Sequence, residues 1–216
     1  MRGFFIAFEG PEGAGKSTQL RLVADSLHQL RAEGAALVVT KEPGGTPVGE
    51  RIREVVLDPA LTMAPLSEFL LYSSSRAQLV AEVVRPALGA GKLVLCDRFT
   101  GASVAYQGYG RGLPLELIYA VTQSVTGGLT PDLTLLFDLE PEIGLERVAQ
   151  RGSKDRLERA DLAFHRRVRE GFLKQAAADP SWVTLDASSS ETELRALVWQ
   201  MVEPYLKPFR VHTRLP

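Results

Sequence analysis

Hydrophobic residues in this chain fall into short unbroken runs, separated by longer stretches in which apolar positions recur at helical spacing. Phe4 to Phe8, Leu93 to Cys96 and Leu133 to Leu139 have the length and the Val, Ile, Leu and Phe content of strands buried on both faces. Leu37 to Thr40 is a weaker run of the same kind, and Trp182 to Leu185 is a further one. Leu20, Val23, Ala24 and Leu27 form an apolar stripe after the first run, and Leu79, Val83 and Val84 form another before Leu93. A last stripe, Leu194, Leu197, Val198 and Met201, is closed by Pro204 and predicts a helix packed on the sheet. Strands alternating with helices predict an α/β fold, a five-stranded parallel sheet flanked by helices on both faces.

Composition narrows the class of protein. Lys and Arg number 25 against 26 Asp and Glu, a net charge of −1 that gives no general attraction to nucleic acid or anionic lipid. Any phosphate must be gripped locally. Hydrophobic content of 45% with 24% charged residues argues against disorder and against a membrane protein. The single cysteine, Cys96, rules out an internal disulfide framework and an all-cysteine metal site, and suits a reducing compartment. The Phe4 to Phe8 run is too short for a secretory signal and is stopped by Glu9, so the expected location is the cytoplasm. His28, His165 and His212 show no metal spacing and read as structural or exposed. The 216 residues are expected to form one domain.

Gly10-Pro-Glu-Gly-Ala-Gly15-Lys16-Ser17 fits G-x-x-x-x-G-K-[ST] between a predicted strand and a predicted helix, the context that gives this motif meaning. Gly10, Gly13, Ala14 and Gly15 let backbone N–H groups converge on phosphate oxygens. The helix beginning near Lys16 turns its positive end toward them, Lys16 adds a full charge, and Ser17 is placed to ligate Mg²⁺. The chain contains no asparagine, which excludes the guanine-specifying N-K-x-D element of a GTPase. Asp97 and Arg98 fall at the carboxyl end of a predicted strand, the edge where open parallel sheets bind ligands. Asp97 can hold a metal-bound water beside Ser17, and the planar fork of Arg98 suits a second phosphate. Tyr106 and Gln107, before a glycine-rich turn, can face a base or sugar.

Glu42-Pro43-Gly44-Gly45-Thr46, Asp97-Arg98 and Ala105-Tyr106-Gln107-Gly108 together closely resemble thymidylate kinase, and the likeness covers nearly the whole chain in order. The resemblance implies a P-loop kinase fold with a mobile lid at about residues 147–160, and transfer of phosphate from ATP to dTMP for dTTP synthesis. It places Lys16, Ser17 and Thr18 on the donor side, Glu12 on the sugar 3′-hydroxyl and Arg98 on the acceptor phosphate. It puts Tyr72 against thymine, where the family usually has phenylalanine, and Arg76 on the thymine O4. Tyr106 would crowd the sugar 2′ position. Ala102 stands where a serine is common, so Ser103 is the expected hydroxyl, and Lys41 stands where arginine often precedes the glycine turn. Members of the family carry a donor-side arginine either in the P-loop, at the position of Gly13 here, or in the lid, so the resemblance implies that Arg151 or Arg156 takes that role. A homodimer is implied, for which the Leu79 and Val83 stripe is a candidate interface unless it is core. The alternatives are a kinase for another nucleoside monophosphate or a deoxynucleoside, or a noncatalytic nucleotide-binding regulator.

Overall fold

The structure is a computed structural model that describes residues 2–29, 37–150, 152 and 155–206. The strands are β1 (Phe4–Glu9), β2 (Leu37–Lys41), β3 (Leu93–Asp97), β4 (Leu133–Asp138) and β5 (Trp182–Asp186). The helices are α1 (Lys16–Gln29), α2 (Pro47–Leu57), α3 (Pro65–Leu79), α4 (Arg85–Gly89), α5 (Thr100–Ser103), α6 (Leu115–Thr126), α7 (Pro141–Gln150), α8 (Leu162–Ala178) and α9 (Glu191–Leu206). A π-helical turn, Val80–Val84, joins α3 to α4, and a second, Val104–Gly110, continues α5.

All five strands are parallel, in the order β2-β3-β1-β4-β5. Each predicted apolar run became a strand. Alternate side chains feed opposite faces, as the period of a strand requires. Ile6, Phe8, Leu93, Leu95, Leu135 and Phe137 pack under α1 and α9, while Phe5, Ala7, Val94 and Cys96 pack under α3, α4 and the turn between them. Leu136 and Tyr106 join Phe164, Val168 and Phe172 of α8 in a further cluster on that second face. With β1 in the centre, Phe8 registers with Asp97 of β3, so the loops leaving β1 and β3 emerge side by side.

Three expectations change. The last helix runs through Pro204 to Leu206 rather than stopping before the proline, and Leu197 of the predicted stripe is exposed while Leu194, Val198 and Val202 are buried. Leu79 is fully buried and Val83 packs against the same cluster, so that stripe is core. The exposed large apolar residues lie instead on α2 (Val48, Val55), α3 (Leu66, Leu70) and α6 (Tyr119), with others elsewhere. Finally, the arginine-rich stretch from Glu146 to Arg169, whose composition alone suggests one solvated helical face or one lid, is not one unit: Arg147 belongs to α7, and Arg166, Arg167 and Arg169 belong to α8. There Arg169 grips Asp138 at 2.7 and 2.9 Å, Arg166 pairs with Glu142, and Arg167 caps the Gly110 carbonyl.

Leu95 sits at 0% exposure in the middle of β3, between β2 and β1. Leu95→Ala should lower unfolding free energy by about 2–5 kcal/mol, the usual cost of a buried leucine cavity, in urea titrations. A loss below about 1 kcal/mol would mean that the sheet centre is not close-packed there.

Candidate active site

The P-loop turns from β1 into α1 with its backbone pressed against α7. A Cβ at Gly13 (φ 70°) would run into the backbone of Gly144, and a Cβ at Gly144 would run into the carbonyl of Glu12. Both positions must therefore be glycine. Lys16 is almost wholly buried and donates to the Pro11 carbonyl at 2.7 Å. Burial and the nearby Arg98 charge pull its ammonium down to a pKa of about 8, against the opposing pull of Glu12 and Asp97. Ser17 donates to the Asp97 carboxylate, closing the gap between α1 and the end of β3.

Arg98 is the only non-glycine residue with positive φ among the described residues, at 69°. Its guanidinium donates to the Gly10 carbonyl at 2.9 Å and to Glu12 at 2.8 Å, and lies over the Tyr106 ring. The Tyr106 hydroxyl donates to the same Glu12 oxygen at 2.7 Å. Burial disfavours the charged form of Glu12, but Arg98 and Lys16 outweigh it and hold the carboxyl at about 2. Behind this cluster, Glu9 accepts from the N–H groups of Phe99 (2.9 Å) and Ala102 (3.1 Å) and so fixes the backbone that follows Arg98.

A cavity of about 520 Å³ opens over these groups. Of the residues expected from sequence, Glu12, Gly13, Gly15, Lys16, Ser17, Thr18, Tyr72, Arg76, Asp97, Arg98, Ser103, Tyr106 and Gln107 all line it. Gly10 and Ala14 do not; they shape the loop from behind, Gly10 by giving its carbonyl to Arg98 and Ala14 as part of the core. Arg76 is 2% exposed, donates through Nε to Glu42 at 2.7 Å and through one terminal nitrogen to the Phe99 carbonyl, while Nη1 has no partner among the described residues. Burial pushes the Glu42 carboxyl up to about 7 in spite of the Arg76 charge. Tyr72 lies one helical turn before Arg76 on the same wall.

The lid candidates separate. Arg151 lies outside the described residues. Arg156 does not reach the P-loop: its backbone and Nε bind the Leu57 and Val56 carbonyls at the end of α2, and its Nη1 pairs with Glu68 at 2.5 Å. Within the stretch from Glu146 to Arg169, the described arginine that touches the P-loop is Arg147, with Nη1 3.4 Å from the Gly13 carbonyl and 3.2 Å from that of Ala187. Sequence reasoning passed it over as one arginine in a run. Lys41 and Arg53 also line the cavity, and Glu68, fully buried, receives Gln107, Arg111 and Arg156.

Because free Lys16 titrates near 8 while a bound polyphosphate requires the ammonium, the complex holds more protons than the free protein above that pH. Rising pH should therefore weaken ATP binding from about 8 upward. Calorimetric titration at pH 9 in buffers of different ionisation enthalpy should record net proton uptake approaching one proton per site. No uptake would mean that Lys16 is already charged in the free protein.

Comparison with known proteins follows the same outline. A thymidylate kinase family profile matches residues 8–198. The thymidylate kinase of Deinococcus radiodurans is 62% identical over 203 residues, spanning 93% of this chain and 97% of that protein. That of Pseudomonas fluorescens is 54% identical over 189 residues, with 87% and 89% coverage. That of Exiguobacterium sibiricum is 49% identical over 209 residues, with 96% and 97% coverage. The match runs from β1 into α9 and takes in both walls of the cavity as well as the phosphate loop, and the chain belongs to the thymidylate kinase family.

Proposed function

We propose that the chain moves the γ-phosphoryl group of ATP to dTMP, giving ADP and dTDP in deoxynucleotide synthesis, with both nucleotides held on one domain. The observation that carries the reading is the pair of buried cations, Lys16 and Arg98, set on the loops leaving adjacent strands at the floor of one cavity. Two anionic termini repel each other, and fixed positive charge between them offsets that repulsion. Transfer proceeds through a loose state with charge spread over the equatorial oxygens, so the protein's task is positioning and charge, without a covalent enzyme intermediate.

Lys16 and the P-loop amides hold the donor, joined by Arg147 at the Gly13 carbonyl, while Arg98 draws the acceptor phosphate inward. Glu12 meets the deoxyribose 3′-hydroxyl, Tyr106 fills the space a 2′-hydroxyl would need, and Ser103 lies on the cavity wall beside them. Tyr72 stacks on the base and Arg76 Nη1 donates to O4. Thymine presents a carbonyl there and cytosine an amine, which is how a donor selects between them.

The hydroxyl of Ser17 and the carboxylate of Asp97 meet at the first turn of α1, a hard oxygen pair that fits Mg²⁺. Bound there, the ion neutralises charge on the ATP phosphates. The acceptor is already an anion, so Asp97 organises the metal side and no strong base is required. Segment 155–160, fastened to α2 through Arg156, belongs to the lid that excludes water from the site. The exposed apolar residues of α2, α3 and α6 supply the face of a homodimer. Among the described residues no helix is long and apolar enough to cross a membrane. The proposed reaction, between two small nucleotides, belongs in the cytoplasm and needs no nucleic-acid partner.

Purified protein should be assayed with ATP against dTMP, dUMP, dCMP, dAMP and thymidine, with and without Mg²⁺. dTMP should give the highest kcat/KM, only with Mg²⁺, and Arg98→Met should lower that value by about 10²–10³-fold. Phosphorylation of thymidine but not dTMP would overturn the role of Arg98 and the reading with it.

A further inference from the structure

Glu68 is a carboxylate at 0% exposure in the first turn of α3, without a part in the reaction described above. Donors reach it from separate elements. Gln107 Nε2 comes from the π-helical stretch after α5 at 2.8 Å, Arg111 Nη2 from just beyond it at 3.1 Å, and Arg156 Nη1 from the segment before α8 at 2.5 Å. Burial opposes its charge, but these partners outweigh burial and keep the carboxyl below its usual range. An ionised carboxylate can only accept hydrogen bonds. Gln107 must therefore present its NH₂ end to Glu68, and its carbonyl end is left for the cavity that Gln107 lines. That carbonyl accepts no hydrogen bond from the described residues.

We infer that Glu68 is a positioning residue for base selection: by holding the Gln107 amide in one orientation, it turns a hydrogen-bond acceptor toward the base ring. The inference rests on the reading of this cavity as the dTMP site. Thymine carries N3–H, a donor that meets the Gln107 carbonyl, whereas cytosine carries a bare N3 acceptor that meets oxygen against oxygen. Arg76 reads the 4-position and the Glu68–Gln107 pair reads the 3-position, so the base is tested twice. Glu68, Tyr72 and Arg76 share one helix face at successive four-residue steps, which puts the orienting residue, the stacking ring and the donor in register.

Glu68→Gln tests this with little change of shape. The new amide brings its own NH₂ into a site already filled with arginine donors, and of the described side chains that bond Glu68 only Gln107 can become an acceptor, by turning over. The turned amide then offers NH₂ to the base. With dTMP and dCMP as acceptors, the dTMP:dCMP ratio of kcat/KM should fall by about tenfold or more in Glu68→Gln, a loss set by one hydrogen-bond reversal. In a Gln107→Leu background the same substitution should leave the ratio unchanged. Equal losses for both acceptors, or a shift that persists without Gln107, would overturn the inference. Wild-type protein without dTMP kinase activity would instead overturn the reading of the cavity, so the two failures are distinct. If Glu68→Gln does not fold, nitrogen-15 NMR of the wild-type complex with dTMP decides the matter. The Gln107 NH₂, assigned by its loss in Gln107→Leu, should show slow exchange against the buried carboxylate, and rapid exchange of both protons would sink the idea.

Discussion

Arg98 is the constraint on which the rest of the site depends. It leaves β3 in a left-handed conformation that costs a non-glycine residue about 1–2 kcal/mol, and it stays there because its surroundings over-determine it. Its own N–H continues the sheet to the Phe8 carbonyl, its guanidinium bridges Gly10 and Glu12, and Glu9 holds the next backbone turn through Phe99 and Ala102. Every one of those anchors lies between Phe8 and Glu12, at the end of β1. The strand that launches the phosphate loop thus also fixes the cation that faces it, and the placing of Arg98 against the P-loop follows from the sheet rather than from any flexible loop.

The same economy governs charge. Lys16 and Arg98 are buried close enough that each disfavours the other, which is part of why the lysine titrates near 8. Glu12 and Asp97 offset that repulsion in the free protein, while the Glu12 carboxylate stays ionised even at acid pH because it faces both cations.

The fold was legible because its strands are pure apolar runs with polar turns between them, and all five emerged within a residue or so of the expected bounds. The P-loop and Asp97–Arg98 were legible for the same reason: each is tied to a strand end, and strand ends are what hydrophobic pattern locates best. Long-range polar pairing was not. Glu68 reads in sequence as an ordinary acid in the first turn of a helix, and only folding brings Gln107, Arg111 and Arg156 onto it. The stretch from Glu146 to Arg169 is a different case. Its residues are consecutive in composition but divided between α7, a turn and α8, so one label covered structural clamps such as Arg169 on Asp138 together with site residues such as Arg147. Pro204 was read as a stop, yet a helix already docked through Leu194, Val198 and Val202 absorbs a proline in its final turn.

Why the P-loop itself carries no arginine has a steric answer. The left-handed turn at Gly13 lies directly on α7 at Gly144, with no space for a Cβ on either side, so a charged side chain at position 13 and this helix contact exclude each other. The contact also supplies the replacement. Arg147 stands one turn beyond Gly144, on the part of α7 that the glycine pair draws against the loop, and from there its guanidinium reaches the Gly13 and Ala187 carbonyls together. Removing charge from the loop and bringing the Arg147 guanidinium up to it are thus two results of one close approach.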